Sequence, residues 1–396
     1  MLTASEALDL VLKNRLNLGT EKVSLTEAVG RILAEPIYAD RDFPPFERVT
    51  MDGIAIWLEE PISLATFQIE ATQYAGEPAH SLSSPQYAIE VMTGAVLPKG
   101  CNTVIRYEDI IIKDLDGERI AYVQTPIFTG QNIHHQGQDR SAGSLLVAPG
   151  KPIRSTEIGA LASVGKDQIW VEKQPRLALI STGDELVDVS QQPLPHQIRR
   201  SNGYQLAASL RELGFSSTLF HLKDQPTQLK EALAKILQDF DILLMTGGVS
   251  AGKKDFVPGI LQELGVIKHF HQIAQRPGKP MWFGTHPAGK AVFALPGNPV
   301  STFACFLKYV RAYLIPAQST LVAALSEQIV FKPDLTYYVP VAVQGNTEGK
   351  YVAIPLKGSN SGDFANLMDC TGFLELPADR SDFAINEVFP YIPFKI

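Results

Sequence analysis

The chain has 396 residues, 45% of them apolar and 19% charged, with a formal net charge of −7 at pH 7. That length exceeds one ordinary hydrophobic core and predicts two to four domains, while the apolar content excludes a disordered chain. The acidic balance excludes a nucleic-acid or membrane-surface partner as an expectation, and no run of about 18 apolar residues exists to span a bilayer.

The N-terminus, Met1 to Glu6, carries no basic leader of the secretory kind. The three cysteines, Cys101, Cys305 and Cys370, are odd in number, widely spaced and form no CxxC pair. That argues against a disulfide framework and a structural zinc site, so a reducing, cytoplasmic setting is expected.

Residues 3–14 show a helical period through Ala7, Leu8, Val11 and Leu12, and a second helix is predicted from Ser24 with Leu25, Ala28, Val29, Ile32 and Leu33 on one face. The extended stretch Asp42-Phe43-Pro44-Pro45-Phe46 follows as a connector. Residues 46–139 read as β, with a strand over Tyr87–Met92. A hairpin there turns at Asp114-Leu115-Asp116-Gly117. Helical periodicity resumes over Ser155–Val164.

From Pro175 strands alternate with helices. Strands are predicted over Arg176–Ile180, Ser217–Leu222, Ile242–Met245, Met281–Gly284 and Ala291–Leu295. Helices are predicted over Gln205–Leu213, Thr227–Leu237, Pro258–Leu264 and Val300–Leu314. This alternation predicts a doubly wound parallel sheet. Beyond residue 320 the chain reads β again, through Tyr337–Val343, Tyr351–Pro355 and Phe373–Leu376. The expected organisation is an α/β central domain (174–318) and a helical and extended linking domain built from 1–45 and 140–173. A β-rich inserted domain (46–139) and a barrel-like β domain (319–396) complete it.

Three loops leave the carboxyl ends of the central strands, where ligands of open α/β sheets sit. They are Ser181-Thr182-Gly183-Asp184-Glu185, the glycine loop Thr246-Gly247-Gly248-Val249-Ser250 running on to Asp255, and Leu295-Pro296-Gly297-Asn298-Pro299-Val300-Ser301. A fourth strand ends at Leu222-Lys223-Asp224. Glycines let backbone amides approach an anion, and the following helix N-terminus favours it. Glu185, Asp224 and Asp255 would converge at one sheet edge and suit a hard divalent cation, Mg²⁺, bridging protein oxygens to phosphate. The plainer alternative is that each acid caps a helix. Arg276-Pro277-Gly278-Lys279-Pro280 adds two cationic donors on a stiff turn, suited to an oxyanion.

Together these motifs resemble the molybdopterin molybdenumtransferase family, which includes the E domain of gephyrin. Thr50-Met51-Asp52-Gly53, Met92-Thr93-Gly94-Ala95, Gly130-Gln131-Asn132-Ile133 and Gly137-Gln138-Asp139 carry the resemblance, together with the three loops above and Pro277-Gly278-Lys279-Pro280. The resemblance implies a central domain of the molybdopterin-binding type in an elongated, four-domain subunit of a homodimer. It implies insertion of molybdate into adenylylated molybdopterin with Mg²⁺-assisted release of AMP, and a molybdopterin adenylyltransferase as a candidate partner. Carried over by position, Asp52, Thr93 and Asp139 would line one face of a cleft formed between subunits. Glu185, Asp224, Asp255, Lys279, Pro296 and Pro299 would line the other. Gly247, Gly248, Ser250, Arg276 and Ser301 are further substrate-binding candidates.

The chain departs from the pattern where relatives carry arginines: His134 and His135 stand before Gly137-Gln138-Asp139. Gln272 and Arg276 replace lysines, and Pro340 stands where an arginine is expected. His134 or His135 is therefore an oxyanion candidate that would protonate as the anion binds. Two other functions fit the same motifs less fully: a diverged nucleotide-pterin hydrolase, and a gephyrin-like scaffold without catalysis. The retained acids argue against the scaffold.

Overall fold

The computed structural model describes residues 1–248, 256–315, 320–356 and 363–395. Its centre is a six-stranded sheet, β1 (Leu177–Thr182), β2 (Ser217–Leu222), β3 (Ile242–Thr246), β4 (Ile267–His271), β5 (Trp282–His286) and β6 (Lys290–Leu295), in the order 2-1-3-6-5-4. β2, β1, β3 and β6 are parallel, with Thr182 level with Leu222 and Thr246 level with Leu295. The strand order reverses between β1 and β3, so the crevice beyond their carboxyl ends is the topological switch point.

Alternate residues of these strands face opposite layers, as a strand period of two requires. Leu177, Leu179, Leu244 and Phe293 pack on α3 (Ser201–Glu212) and α6 (Pro299–Cys305). Ala178, Ile180, Leu243 and Val292 pack on α4 (Pro226–Asp239) and α5 (Val257–Glu263). α6 continues without a break through a π-helical turn, Phe306–Val310, to Leu314.

The sheet is mixed where a wholly parallel one was expected. β5 runs against both neighbours, β6 and β4. Only Pro287, Ala288 and Gly289 separate β5 from β6, too few residues for the crossover that a parallel pair needs. β4 was not anticipated at all.

The β-rich region forms a second six-stranded sheet, in which Gly53–Ile56 lies between Thr103–Arg106 and Tyr87–Val91. Its hairpin Ile110–Leu115/Glu118–Val123 turns at Asp116 and Gly117, whose φ values are +54° and +88°. In the C-terminal region Thr336–Gly345, Tyr351–Pro355, Leu321–Leu325, Val388–Pro393 and Gly372–Leu376 pair in a closed ring of five. The two residues Gln275–Arg276 add alongside Thr336–Tyr337 and tie this barrel to the central domain.

The linking region has its own core, in which Ala28, Leu33 and Ile37 meet Val147, Ile153, Leu161 and Val171. α1 (Ala4–Lys13) instead packs Ala4, Ala7 and Val11 into the central core, and α2 (Ser155–Ser163) stands over the linking core. The helix expected from Ser24 is a single 3₁₀ turn, Leu25–Glu27, capped by Ser24 and Glu27. Gly30 then takes φ +80°, and Leu33 donates its N–H to the Lys151 carbonyl and bridges Val171. Val29 is left exposed while Leu33 is fully buried, so pairing with a distant segment overrode the local helical period.

Candidate active site

The residues expected to act lie in two groups, each held within its own domain. The first is in the β-rich domain. The main-chain N–H and hydroxyl of Thr93 both donate to Asp52 Oδ1, at 2.6 and 2.7 Å. Those two bonds, the backbone one foremost, hold the Asp52 carboxyl below its ordinary range, so it is an anion at neutral pH. Gly53 is required beside it, because a Cβ there would lie 1.9 Å from the Ile105 carbonyl oxygen.

Asp139 and His134 belong to the same domain. His134 Nε2 lies 2.9 Å from Asp139 Oδ1, and its Nδ1 lies 2.8 Å from Arg48 Nη2. A guanidinium can only donate, so Nδ1 is unprotonated and Nε2–H donates to Asp139. His134 is thus held between an arginine and a carboxylate. The fixed positive charge in this chain of contacts belongs to Arg48. His135 Nδ1 lies 2.8 Å from Glu47 Oε2.

The second group surrounds the switch point. Gly183 takes φ +139°, and a Cβ there would lie 2.7 Å from both carboxylate oxygens of Glu185, so glycine makes the room into which Glu185 folds back. The parallel register of β1 and β2 places Asp224 at the same sheet edge, and the Asp224 N–H donates to Asp184 Oδ1 at 3.3 Å. His221 contacts the Gly183 carbonyl at 3.1 Å. Asp255 and Ser250 lie outside the described residues. Among the described residues no three His, Cys, Asp or Glu side chains cluster as a metal site.

Gly247 and Gly248 follow β3 with φ +91° and +70°. A Cβ on Gly247 would lie 2.8 Å from the Thr182 carbonyl oxygen, and one on Gly248 would lie 2.8 Å from Val257 Cγ2. Gly297 comes from the next loop, and its Cβ would sit 3.7 Å from Gly247 Cα. The ends of β1, β3 and β6 therefore meet backbone to backbone, with Pro296 buried, Pro299 half-buried and Ser301 buried in the start of α6.

Two residues not anticipated from the sequence complete this crevice. Asn202, at the start of α3, donates from Nδ2 to the Gly297 carbonyl at 2.7 Å and to Thr302 Oγ1 at 3.2 Å. Thr182 is 3% exposed and its hydroxyl has no hydrogen-bond partner among the described residues. An asparagine after Arg199-Arg200-Ser201 carries a helix-start signal, which hides its second use; nothing in the sequence marks Thr182.

Arg276 and Lys279 are exposed on either side of buried Gly278, and the Arg276 guanidinium lies 5.8 Å from the centroid of the Phe331 ring. A cavity of about 490 Å³ lies elsewhere, between the linking region and the central domain. Of its charged lining, Arg15 pairs with Glu172 and Arg31 with Glu21, and none of the motif loops reaches it.

Family comparisons agree with this anatomy. Residues 2–165 match the MoeA N-terminal region (domain I and II), 178–316 the probable molybdopterin binding domain, and 322–394 the MoeA C-terminal region (domain IV). The molybdopterin molybdenumtransferase of Synechocystis sp. is 37% identical over 99% of both chains. Gephyrin of Dictyostelium discoideum is 30% identical, over 78% of this chain and 49% of its own. The crystal structure of the molybdopterin biosynthesis MoeA protein from Pyrococcus horikoshii OT3 is 30% identical and superposes with a TM-score of 0.81 over 99% of both chains. The chain belongs to the molybdopterin molybdenumtransferase family, enzymes of molybdenum cofactor biosynthesis.

Proposed function

We propose that this chain inserts molybdate into the dithiolene of adenylylated molybdopterin, with cleavage of the pterin–adenylyl phosphoanhydride and release of AMP. The observation that carries this reading is the switch-point crevice, where the Thr182, Gly247 and Gly297 backbones crowd together at the sheet edge that also carries Glu185 and Asp224. Backbone amides and cations hold phosphate and oxyanion there at little reorganisation cost. Arg276 and Lys279 supply the charge for the oxyanion, and the Asn202 bond to Gly297 keeps the Pro296–Ser301 loop in place.

The donor set fits Mg²⁺. Glu185 and Asp224 offer hard carboxylate oxygens, and the Thr182 hydroxyl, without a partner among the described residues, lies under the loops. Glu185 and Asp224, with Asp255, would hold the ion. When bound, the ion would supply charge to neutralise the phosphates that these residues hold.

The Asp52–Thr93 and His134–Asp139 pairs belong to the β-rich domain, and in this reading that domain of one protomer completes the crevice of its partner in a homodimer. A cytoplasmic setting accords with three reduced cysteines, and no helix among the described residues is long and apolar enough to cross a membrane.

The test is AMP release from adenylylated molybdopterin with and without molybdate. Wild type is expected to release AMP only when molybdate is present, and Glu185→Gln to lower kcat at least about 100-fold. Equal AMP release without molybdate would instead identify a nucleotide-pterin hydrolase.

A further inference from the structure

Arg276 and Lys279 are exposed, so their positions depend on what holds the short loop between them. Directly beneath it lies a buried polar group that the proposed chemistry does not use. Gln275 is 1% exposed, and Tyr309 and Cys305 are fully buried. Gln275 Nε2 donates to the Pro277 carbonyl at 3.1 Å and lies 3.5 Å from Cys305 Sγ, while the Tyr309 hydroxyl donates to Gln275 Oε1. The Cys305 thiol donates to the Gly278 carbonyl at 3.6 Å. Two successive loop carbonyls are therefore tied from below. Because a carbonyl can only accept, the Pro277 bond fixes which way the Gln275 amide faces.

The fit is close on the loop side as well. Gly278 takes φ +93°, and a Cβ there would lie 2.4 Å from Cys305 Sγ, 2.7 Å from Gln275 Nε2 and 3.5 Å from the Ser301 carbonyl oxygen. Ile273 N–H closes the loop onto the Lys279 carbonyl at 2.9 Å. Cys305 and Tyr309 stand on the same continuous helix whose first residues, Pro299 to Ser301, end the Pro296–Ser301 loop. One rigid element thus carries that loop at its start and grips the cationic loop within its next turns. An amide and a phenol buried together gain little stability over apolar residues of the same shape, so stability alone does not account for them.

We propose that Gln275, with Tyr309 and Cys305, is a positioning residue for the oxyanion: it sets Arg276 and Lys279 in register with the Pro296–Ser301 loop. This rests on the reading of Lys279 as an oxyanion-holding side chain.

The test uses the full chain and steady-state AMP release, titrating molybdate and adenylylated molybdopterin separately. In the double variant Gln275→Met/Tyr309→Phe the amide and the phenol go together and volume is nearly kept, leaving only the Pro277 carbonyl without its donor, so its thermal midpoint should fall by no more than about 5 °C. Its KM for molybdate should rise about tenfold, with kcat and the pterin KM within about twofold, the signature of lost binding to one substrate. Tyr309→Phe alone leaves the Gln275 bond to the Pro277 carbonyl in place but strips Gln275 Oε1 of its donor, and should raise the molybdate KM about threefold; it serves as the second variant if the double variant does not fold. Lys279→Ala should raise the molybdate KM at least as far as the double variant. If Lys279→Ala raises it and the Gln275 and Tyr309 variants do not, the positioning role is overturned and the reading of Lys279 stands. If Lys279→Ala leaves it unchanged, both fall. A lowered midpoint and kcat with both KM values unmoved would mark the network as purely structural and overturn the proposal.

Discussion

Glu90 is a strand residue, 7% exposed, whose carboxylate receives both Arg119 Nη atoms at 2.7 and 2.9 Å, the Tyr107 hydroxyl at 2.9 Å and the Thr72 hydroxyl at 3.0 Å. The Arg119 bonds, opposed by burial and helped by Tyr107 and Thr72, lower its pKa to about 2 from an ordinary 4.5. Tyr107 in turn donates its main-chain N–H to the Asp52 carbonyl at 3.0 Å, so Glu90 braces the strand end that presents Asp52. A depressed carboxylate pKa contributes stability that is complete above the unfolded value and is lost as pH falls through the folded one. Glu90→Gln should therefore destabilise the protein by about 1–3 kcal/mol at pH 7. The gap to wild type should shrink as pH falls from 4.5 toward about 2. Urea melts of both proteins across that range check it; a gap independent of pH would mean that charge is not the cause. The sequence showed Asp52 and Thr93 through their motifs. Glu90, Arg48 and Gln275 carry no local signal, because the side chains they meet are 17 or more residues away and only the folded chain brings them together.

At the scale of elements, the glycines of the three crevice loops differ in what they require. Gly247 combines φ +91° with a Cβ position 2.8 Å from the Thr182 carbonyl oxygen, whereas a Cβ on Gly297 meets nothing closer than 3.7 Å. Gly247→Ala should cost about 1–3 kcal/mol and disturb the cradle, while Gly297→Ala should stay within about 0.5 kcal/mol of wild type. Thermal denaturation of the two variants checks the contrast, and equal losses would show that the Gly247 loop relaxes freely. The glycine loop was readable from sequence as a turn after an apolar strand, since a buried parallel strand is a continuous apolar run. Residues 24–33 were not, since a helical period there is also consistent with a 3₁₀ turn followed by two isolated bridges. β4 was missed for a related reason: Ile267-Lys268-His269-Phe270-His271 is short, half polar and paired only along one side.

For the whole molecule, a buried phenol joins the packing of α1 in fastening the N-terminal segment to the central domain. Leu16 donates its N–H to the Tyr313 hydroxyl at 3.0 Å, and that hydroxyl donates to the Asn14 carbonyl at 3.1 Å. Arg15 Nε adds a bond to the Tyr313 carbonyl at 3.0 Å. Tyr313→Phe should leave the core filled but unpair both backbone groups, costing about 1–2 kcal/mol. Amide hydrogen exchange should quicken over residues 4–16 and stay unchanged in the central strands. Uniformly faster exchange would show that α1 and the core open as one unit.

The amino-acid sequence by itself determined the central α/β alternation, the β character of its flanks and the loops that carry glycine, acid and cation, because each of these is a pattern within a few residues. Tertiary structure alone decided that the sheet is mixed, that α1 joins the central core, that His134 sits between Arg48 and Asp139, and that Gln275 underpins the cationic loop. The physical reason is range. Strand and helix periods are set by neighbours along the chain, whereas the partner of a buried polar group is set by packing between segments that the sequence keeps far apart.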